Sequence, residues 1–253
     1  MSRKLILISN DDGVQAPGLH RLIETVAPLA DVIAVAPALP HSGQSSAMTV
    51  NAPLRVNVHP DMAGAKVYSV TGTPVDCIKV AMHNLVPRRP DMVLAGINHG
   101  SNAGVNIIYS GTMGAVLEGC IQGIPSIGFS LLHHSMDADF SQCLPIIRNM
   151  VATTLENPLP GDVCLNVNFP ARVAIKGVKV VRAARSHWTE EYKEYTDPHG
   201  KPFLWLTGGL VNEEPESTDT DLYWLHRDYA TVVPATPNQT VVDQIPSLSG
   251  RYE

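Results

Sequence analysis

The sequence predicts a doubly wound, mainly parallel α/β sheet followed by a C-terminal region of extended β-hairpins. Short apolar runs alternate with segments of helical periodicity over roughly the first two-thirds of the chain. Those runs are rich in Val, Ile and Leu, as strands covered on both faces are. Past Val178 the texture changes to short strands separated by long polar stretches.

Lys4 to Ile8 reads as a buried strand, ended by the polar turn Ser9-Asn10-Asp11-Asp12-Gly13. Pro17 opens a helix through Leu19, Leu22, Ile23 and Val26, in a position where its missing N–H costs little. Asp31 to Ala36 is a second strand, ended by Pro37, and the three together predict a right-handed βαβ unit. Thr73 to Leu85 reads as helix. Met92 to Ala95 is a strand entering a Gly/Asn-rich loop from Gly96 to Asn106. Thr112 to Gln122 and Phe140 to Leu155 are predicted helices; Ser126 to Phe129 and Val163 to Val167 are predicted strands. Val178–Val181, Phe203–Leu206 and Ala230–Val233 read as strands. The polar stretches Trp188–Lys201 and Asn212–Asp221 are too long for plain turns and predict hairpins or arms. The chain thus divides into an α/β part, residues 1–180, and a hairpin region, 181–253, expected to pack back on the core and serve oligomer contacts.

With 253 residues, 44% hydrophobic and 17% charged, the composition is that of a globular protein. A formal net charge of −6 argues against a protein that grips long nucleic acid by counter-ion release. No apolar run is long enough to span a membrane. Arg3 and Lys4 precede only four apolar residues, too few for a signal-peptide core. Cys77, Cys120, Cys143 and Cys164 are widely spaced and form no C-x-x-C pair. They are expected to be buried free thiols in a reducing compartment, which points to the cytoplasm.

Ligands of open α/β sheets bind outside the carboxyl ends of the strands. Three loops rich in oxygen donors fall there: Asn10–Gly13, His41–Ser46 and Gly96–Asn102. Two adjacent carboxylates at a strand end repel, and a cation is one way to keep both ionised; a solvated turn is the other reading of Asn-Asp-Asp-Gly. Oxygen donors of this kind suit Mg²⁺, Mn²⁺ or Ca²⁺ rather than Zn²⁺. Tyr109–Gly114 places hydroxyls and small residues at a helix start, which is either an ordinary N-cap by Ser110 or Thr112 or an anion site. No G-x-G-x-x-G follows the first strand, and there is neither a P-loop nor a G-x-S-x-G elbow. The second aspartate of aspartate-nucleophile phosphatases, two positions after the first, is also absent, since Gly13 and Val14 stand there. His41 and His99 lie inside the site loops as candidates for general acid or substrate contact, whereas His133-His134 reads as a polar loop pair.

Several of these motifs, taken in order, resemble the SurE family of stationary-phase survival proteins. They are Ser9-Asn10-Asp11-Asp12-Gly13-Val14 with Ala16-Pro17-Gly18, Val35-Ala36-Pro37 leading to Ser42-Gly43, and Gly72-Thr73-Pro74-Val75-Asp76-Cys77. The series continues with Pro90-Asp91-Met92-Val93, Gly96-Ile97-Asn98 with Gly100 and Asn102, Tyr109–Thr112 leading to Glu118-Gly119, then Thr220-Asp221 and Tyr229–Pro234. The resemblance implies a Rossmann-like fold with hairpins exchanged in a homodimer or homotetramer. It also implies a metal-dependent phosphomonoesterase acting on nucleoside 5′- and 3′-monophosphates, with short polyphosphate a further substrate of some members. The metal ligands it implies are Asp11, Asp12, Ser42 and Asn98, around one Mg²⁺ or Mn²⁺ per subunit, with Ca²⁺ fitting the site without supporting activity. Asp11 and Asp12 are then also the catalytic candidates, as base or nucleophile beside a bound water. Asn102, Asn106, Ser110, Gly111 and Thr112 are the candidates for the phosphate. The chain departs from the family pattern at Ala38-Leu39-Pro40-His41 and at Ala103–Asn106, which bears on substrate preference rather than on metal binding. The rival readings are a non-catalytic nucleotide-binding regulator and a phosphatase of another small phosphoester.

Overall fold

The computed structural model describes residues 3–135, 137–171 and 174–252. Met1 and Glu253, the outer ends of the two expected segments, lie outside the described residues. The first unit is β1 (Leu5–Ser9), α1 (Pro17–Val26) and β2 (Asp31–Pro37), with β1 parallel to β2 from Leu5↔Asp31 to Ile8↔Ala34. An antiparallel hairpin follows, β3 (Val56–Met62) and β4 (Ala65–Val70), and then α2 (Pro74–Val80), which runs into a single π turn at 81–85. Next come β5 (Met92–His99), a 3-10 turn at 104–108, α3 (Gly111–Ile121), β6 (Ser126–Leu131), α4 (Leu144–Glu156) and β7 (Cys164–Phe169). The C-terminal part holds β8 (Val178–Val180), β9 (Ser186–Thr189), β10 (Tyr192–Thr196), β11 (Pro202–Leu206), β12 (Gly209–Asn212), α5 (Asp221–Leu225), β13 (Ala230–Ala235) and α6 (Ile245–Tyr252).

The central sheet has the order β3-β4-β2-β1-β5-β6-β7-β13-β8. From β4 to β7 every neighbouring pair is parallel, while β3 and β13 run against their neighbours β4 and β7. The chain steps outward from β1 through β2 and β4, then crosses back and steps the other way through β5, β6 and β7. The order therefore reverses between β1 and β5, and a crevice opens outside their carboxyl ends. Side chains alternate along β1. Ile6 and Ile8 pack with Leu19, Leu22 and Ile23 of α1 and Ile147 and Val151 of α4. Leu5 and Leu7 pack on the other face with Cys77 and Ile78 of α2 and Met113 and Val116 of α3. Each such fully buried side chain contributes about 1.5–3 kcal/mol of hydrophobic stabilisation, which holds the β1 and β5 ends rigidly in place.

Several elements differ from the sequence reading. The reading has no strand between Pro37 and Thr73, yet the β3–β4 hairpin lies there. Most of β3 is exposed at the sheet edge, so it carries no apolar run to announce it. The strand expected over Met92–Ala95 continues to His99, because the backbone resumes pairing with β6 at Asn98 after a register shift. Helix α4 starts at Leu144 rather than Phe140; Pro145 fits only in the first turn, and residues 140–143 turn on the Phe140 carbonyl. The stretch 188–201 does hold strands, whereas between β12 and α5 residues 213–220 form a loop drawn down by Arg182, whose guanidinium binds Asp219 at 2.8 Å and Glu214 at 3.0 Å. All four cysteines are buried free thiols, and burial pushes Cys143 and Cys164 up to about 12.

Candidate active site

The reversal point fixes where Asp11 and Asp12 stand. They follow β1 directly, in a turn closed by Asn10 Nδ2 donating to the Gly13 carbonyl at 2.9 Å. Asp11 is buried, and its Oδ1 accepts a hydrogen bond from the Thr112 hydroxyl at the start of α3. Gly111 is required for that approach, because a Cβ there would lie 2.8 Å from the Asp11 Cβ. Asp12 Oδ2 accepts from the backbone N–H of His99, at the end of β5, at 3.1 Å. Asn98, next to His99, is buried and donates its Nδ2 to the Gly100 carbonyl at 3.0 Å. That leaves its Oδ1 as an acceptor.

The His41–Ser46 loop is stitched to the Asn10–Gly13 loop by its backbone. His41 N donates to the Asp11 carbonyl at 2.8 Å, which brings the exposed Ser42 to the Asp11 turn. Ser45 donates from its hydroxyl to the Ile108 carbonyl at 2.6 Å and from its N–H to the Tyr109 carbonyl at 3.0 Å. Further along, Thr49 N donates to both oxygens of Asp76 at 3.1 Å, and the Thr73 hydroxyl donates to the Ala47 carbonyl at 2.6 Å. Asp76 also completes the capping box that starts α2, so one carboxylate secures a helix and the loop beside the site.

Electrostatics set the pair apart. Burial, and next the charge of Asp12, push Asp11 up to about 6, against the hydrogen bonds from Thr112. Burial raises Asp12 as well, partly offset by the His99 N–H and by the nearby His134. Two carboxyls that both resist ionisation at one strand end form a site that a cation would satisfy. A further acceptor, Asn10 Oδ1, is buried there without a hydrogen-bond partner. Among the described residues no group of three or more His, Cys, Asp or Glu side chains gathers into a metal cluster. The donors present are instead carboxylate, hydroxyl and amide oxygens, which fit a hard divalent ion.

The candidates for the phosphate divide. Gly111 and Thr112 open α3 against Asp11, and Ser110 caps the helix by accepting from Met113 N at 3.0 Å. Asn102 and Asn106 are engaged internally. Asn102 Nδ2 donates to Ser130 Oγ at 2.7 Å, and its N–H donates to Asn168 Oδ1 at 2.8 Å. Asn106 Nδ2 donates to the Ser101 carbonyl at 3.2 Å, and its Oδ1 accepts from Trp188 Nε1 at 2.8 Å. Asn166, which sequence reasoning did not single out, and Asp221, known there only as part of a motif, hold this rim. Asn166 Nδ2 donates to the Asn102 carbonyl at 2.8 Å. Asp221 is fully buried and accepts from the N–H groups of Gly104, Ala184 and Leu222 at 2.8, 2.9 and 2.7 Å. The motif Thr220-Asp221 marks it in the sequence without indicating these partners. Of the histidines, His99 ties its ring Nδ1 to the Ser135 carbonyl at 2.9 Å and packs edge-on against Phe140, and His41 Nδ1 meets Gln44 Oε1 at 2.8 Å.

Over nearly its whole length the chain is similar to known proteins. The family model described as "Survival protein SurE" matches residues 6–190. The protein named 5′-nucleotidase SurE of Phocaeicola vulgatus is 46% identical over 246 residues, covering 97% of this chain and 96% of that protein. The protein of the same name from Bacteroides thetaiotaomicron is 44% identical over 98% of this chain and 96% of its own length. Among solved structures, the crystal structure of the SurE protein from Aquifex aeolicus superimposes with a TM-score of 0.84 at 33% identity, covering 98% of this chain and all of that one.

Proposed function

The chain belongs to the SurE family, and on that premise we infer that it is a 5′-nucleotidase, a phosphoric monoester hydrolase that converts nucleoside monophosphates to nucleoside and phosphate. The observation that carries the inference is the pair Asp11-Asp12 at the point of strand reversal, with the start of α3 against Asp11. We assign Asp11, Asp12, Ser42 and Asn98 as the residues that hold one divalent ion, Mg²⁺ or Mn²⁺; Ca²⁺ fits the same oxygens without supporting turnover. When bound, such an ion supplies an acidic water and neutralises charge on the transferring phosphoryl group. The chain's own groups do the rest. Ser110, Gly111 and Thr112 present the N-terminal end of α3 to the phosphate oxygens. Asn102 and Asn106 brace the loop that faces them. A carboxylate oxygen of Asp11 or Asp12 that the ion would leave free takes the proton of the attacking water.

This reading extends to nucleoside 3′-monophosphates as well. The apolar side chains exposed on β10–β11, among them Phe203, Leu204 and Trp205, support a homodimer or homotetramer, with residues 1–180 carrying the site and 181–253 the contacts. No helix among the described residues is long and apolar enough to cross a membrane, and buried thiols suit a cytoplasmic enzyme. Phosphate release from AMP and GMP with Mn²⁺ or Mg²⁺, with and without EDTA, tests the reading. Chelator-sensitive release is expected. Tight nucleotide binding without release would instead establish a non-catalytic binding protein.

A further inference from the structure

We propose that the open groove beyond the carboxyl ends of β6 and β7 is the subsite for the nucleoside half of the substrate. The proposal rests on the nucleotidase reading above and assigns the part of the molecule that reading leaves unplaced. The groove has a volume of about 640 Å³, within the range of small-ligand sites, and it lies on the same rim of the sheet as the carboxylate pair. Asn98 is on β5, His133 and His134 follow β6, and Pro170 follows β7. Neighbouring strands are about 4.8 Å apart, so the groove begins one strand away from Asn98 and ends about 10 Å away. A nucleoside extends over that span from its own phosphate.

The two places are physically joined. A Cβ on Gly100 would lie 2.8 Å from His134 Cε1, so the imidazole sits directly on the loop that follows Asn98. Asn98 in turn donates to the Gly100 carbonyl at 3.0 Å, and Gly100 N donates to the Leu131 carbonyl at 2.9 Å. His134 thus stands at the junction of the loop after Asn98 and the groove.

The lining matches a neutral heteroaromatic ligand. Pro170, Ala171 and Leu225 give it apolar surface, and His133, His134 and His226 contribute flat rings that stack on a base. His133 Nδ1 accepts from Ser135 N at 3.2 Å, which leaves its Nε2–H as a donor for a base edge or a ribose oxygen. Among the described residues no Lys or Arg lines the groove, and its one acid, Asp228, is paired with Lys176 at 2.9 Å. A second phosphate finds no cation there. The groove therefore selects a nucleoside monophosphate over a polyphosphate chain.

The test compares AMP with glycerol phosphate, which has the ester but no base. In Ala171→Trp, which fills the groove, and in His226→Ala, at an exposed position, the ratio of kcat/KM for AMP over glycerol phosphate is expected to fall at least tenfold. Adenosine binding, measured by calorimetry on the same proteins, is expected to weaken by a similar factor. An unchanged ratio together with unchanged adenosine affinity in folded His226→Ala and Ala171→Trp overturns the subsite; should the tryptophan variant not fold, His226→Ala decides alone. Failure of the nucleotidase reading looks different. The wild type would then release no phosphate from AMP, while adenosine binding still reports on the groove.

Discussion

Gly111 and Asp11 are one unit. The Thr112 hydroxyl, the start of α3 and the Asp11 carboxyl meet only because position 111 has no side chain. Gly111→Ala raises intrinsic helix propensity, yet its methyl must displace Asp11 by a sizeable fraction of an ångström. A misplacement of that order in a reacting constellation costs about 100-fold in rate. The expected outcome is therefore a variant that melts within a few degrees of wild type while its kcat/KM for AMP drops by about that factor. Full activity would show that Asp11 has no fixed role in turnover. At this scale the loops themselves were legible as oxygen-rich strand ends, and the structure ties them together, with His99 N on Asp12 and His41 N on the Asp11 carbonyl. The use made of Asn102 and Asn106 was not legible. An amide reads the same whether it faces a ligand or, as here, Ser130 and Trp188, and only the partner 28 or 82 residues away decides.

The elements hold the site by tying distant strand ends together. At the amino ends of β1 and β5, Asp91 accepts from Leu5 N at 2.9 Å, from Arg88 at 2.8 Å and from Lys4 at 3.1 Å. Burial alone would raise its carboxyl, but these donors outweigh burial and hold it at about 2. Its folded value lies below the ordinary 3.8, so the tie contributes fully above that value and is lost as the pH falls through about 2. Replacing it by Asn is expected to cost about 2 kcal/mol in urea unfolding at about pH 6 and close to nothing near pH 2. A penalty independent of pH would mean that shape rather than charge makes the tie. The alternating strands and helices were legible because each buries a continuous apolar face. The β3–β4 hairpin was not, since an edge strand with one wet face lacks that signal. Nor was the extension of β5 to His99: glycine and asparagine read as loop, and only pairing with β6 turns them into strand.

For the whole molecule, topology does more than any single motif. Because the strand order reverses between β1 and β5, Asp12 and Asn98 end at one crevice although 86 positions separate them in the chain. The C-terminal part then locks the same rim. Asp221 binds the N–H groups of Gly104 and Ala184, and Trp188 binds Asn106. Long-range ties of this sort leave little trace in local sequence, which is why the α/β part was readable and the hairpin region was readable only as hairpins. The proposed chemistry requires one divalent ion held at the carboxyl ends of β1 and β5. Calorimetric titration of Mn²⁺ into metal-free wild type, Asp11→Asn and Asp12→Asn tests it most directly. Saturation of a single site in the wild type, weakened at least 100-fold in both variants, is the predicted result; equal affinity in all three proteins would contradict it.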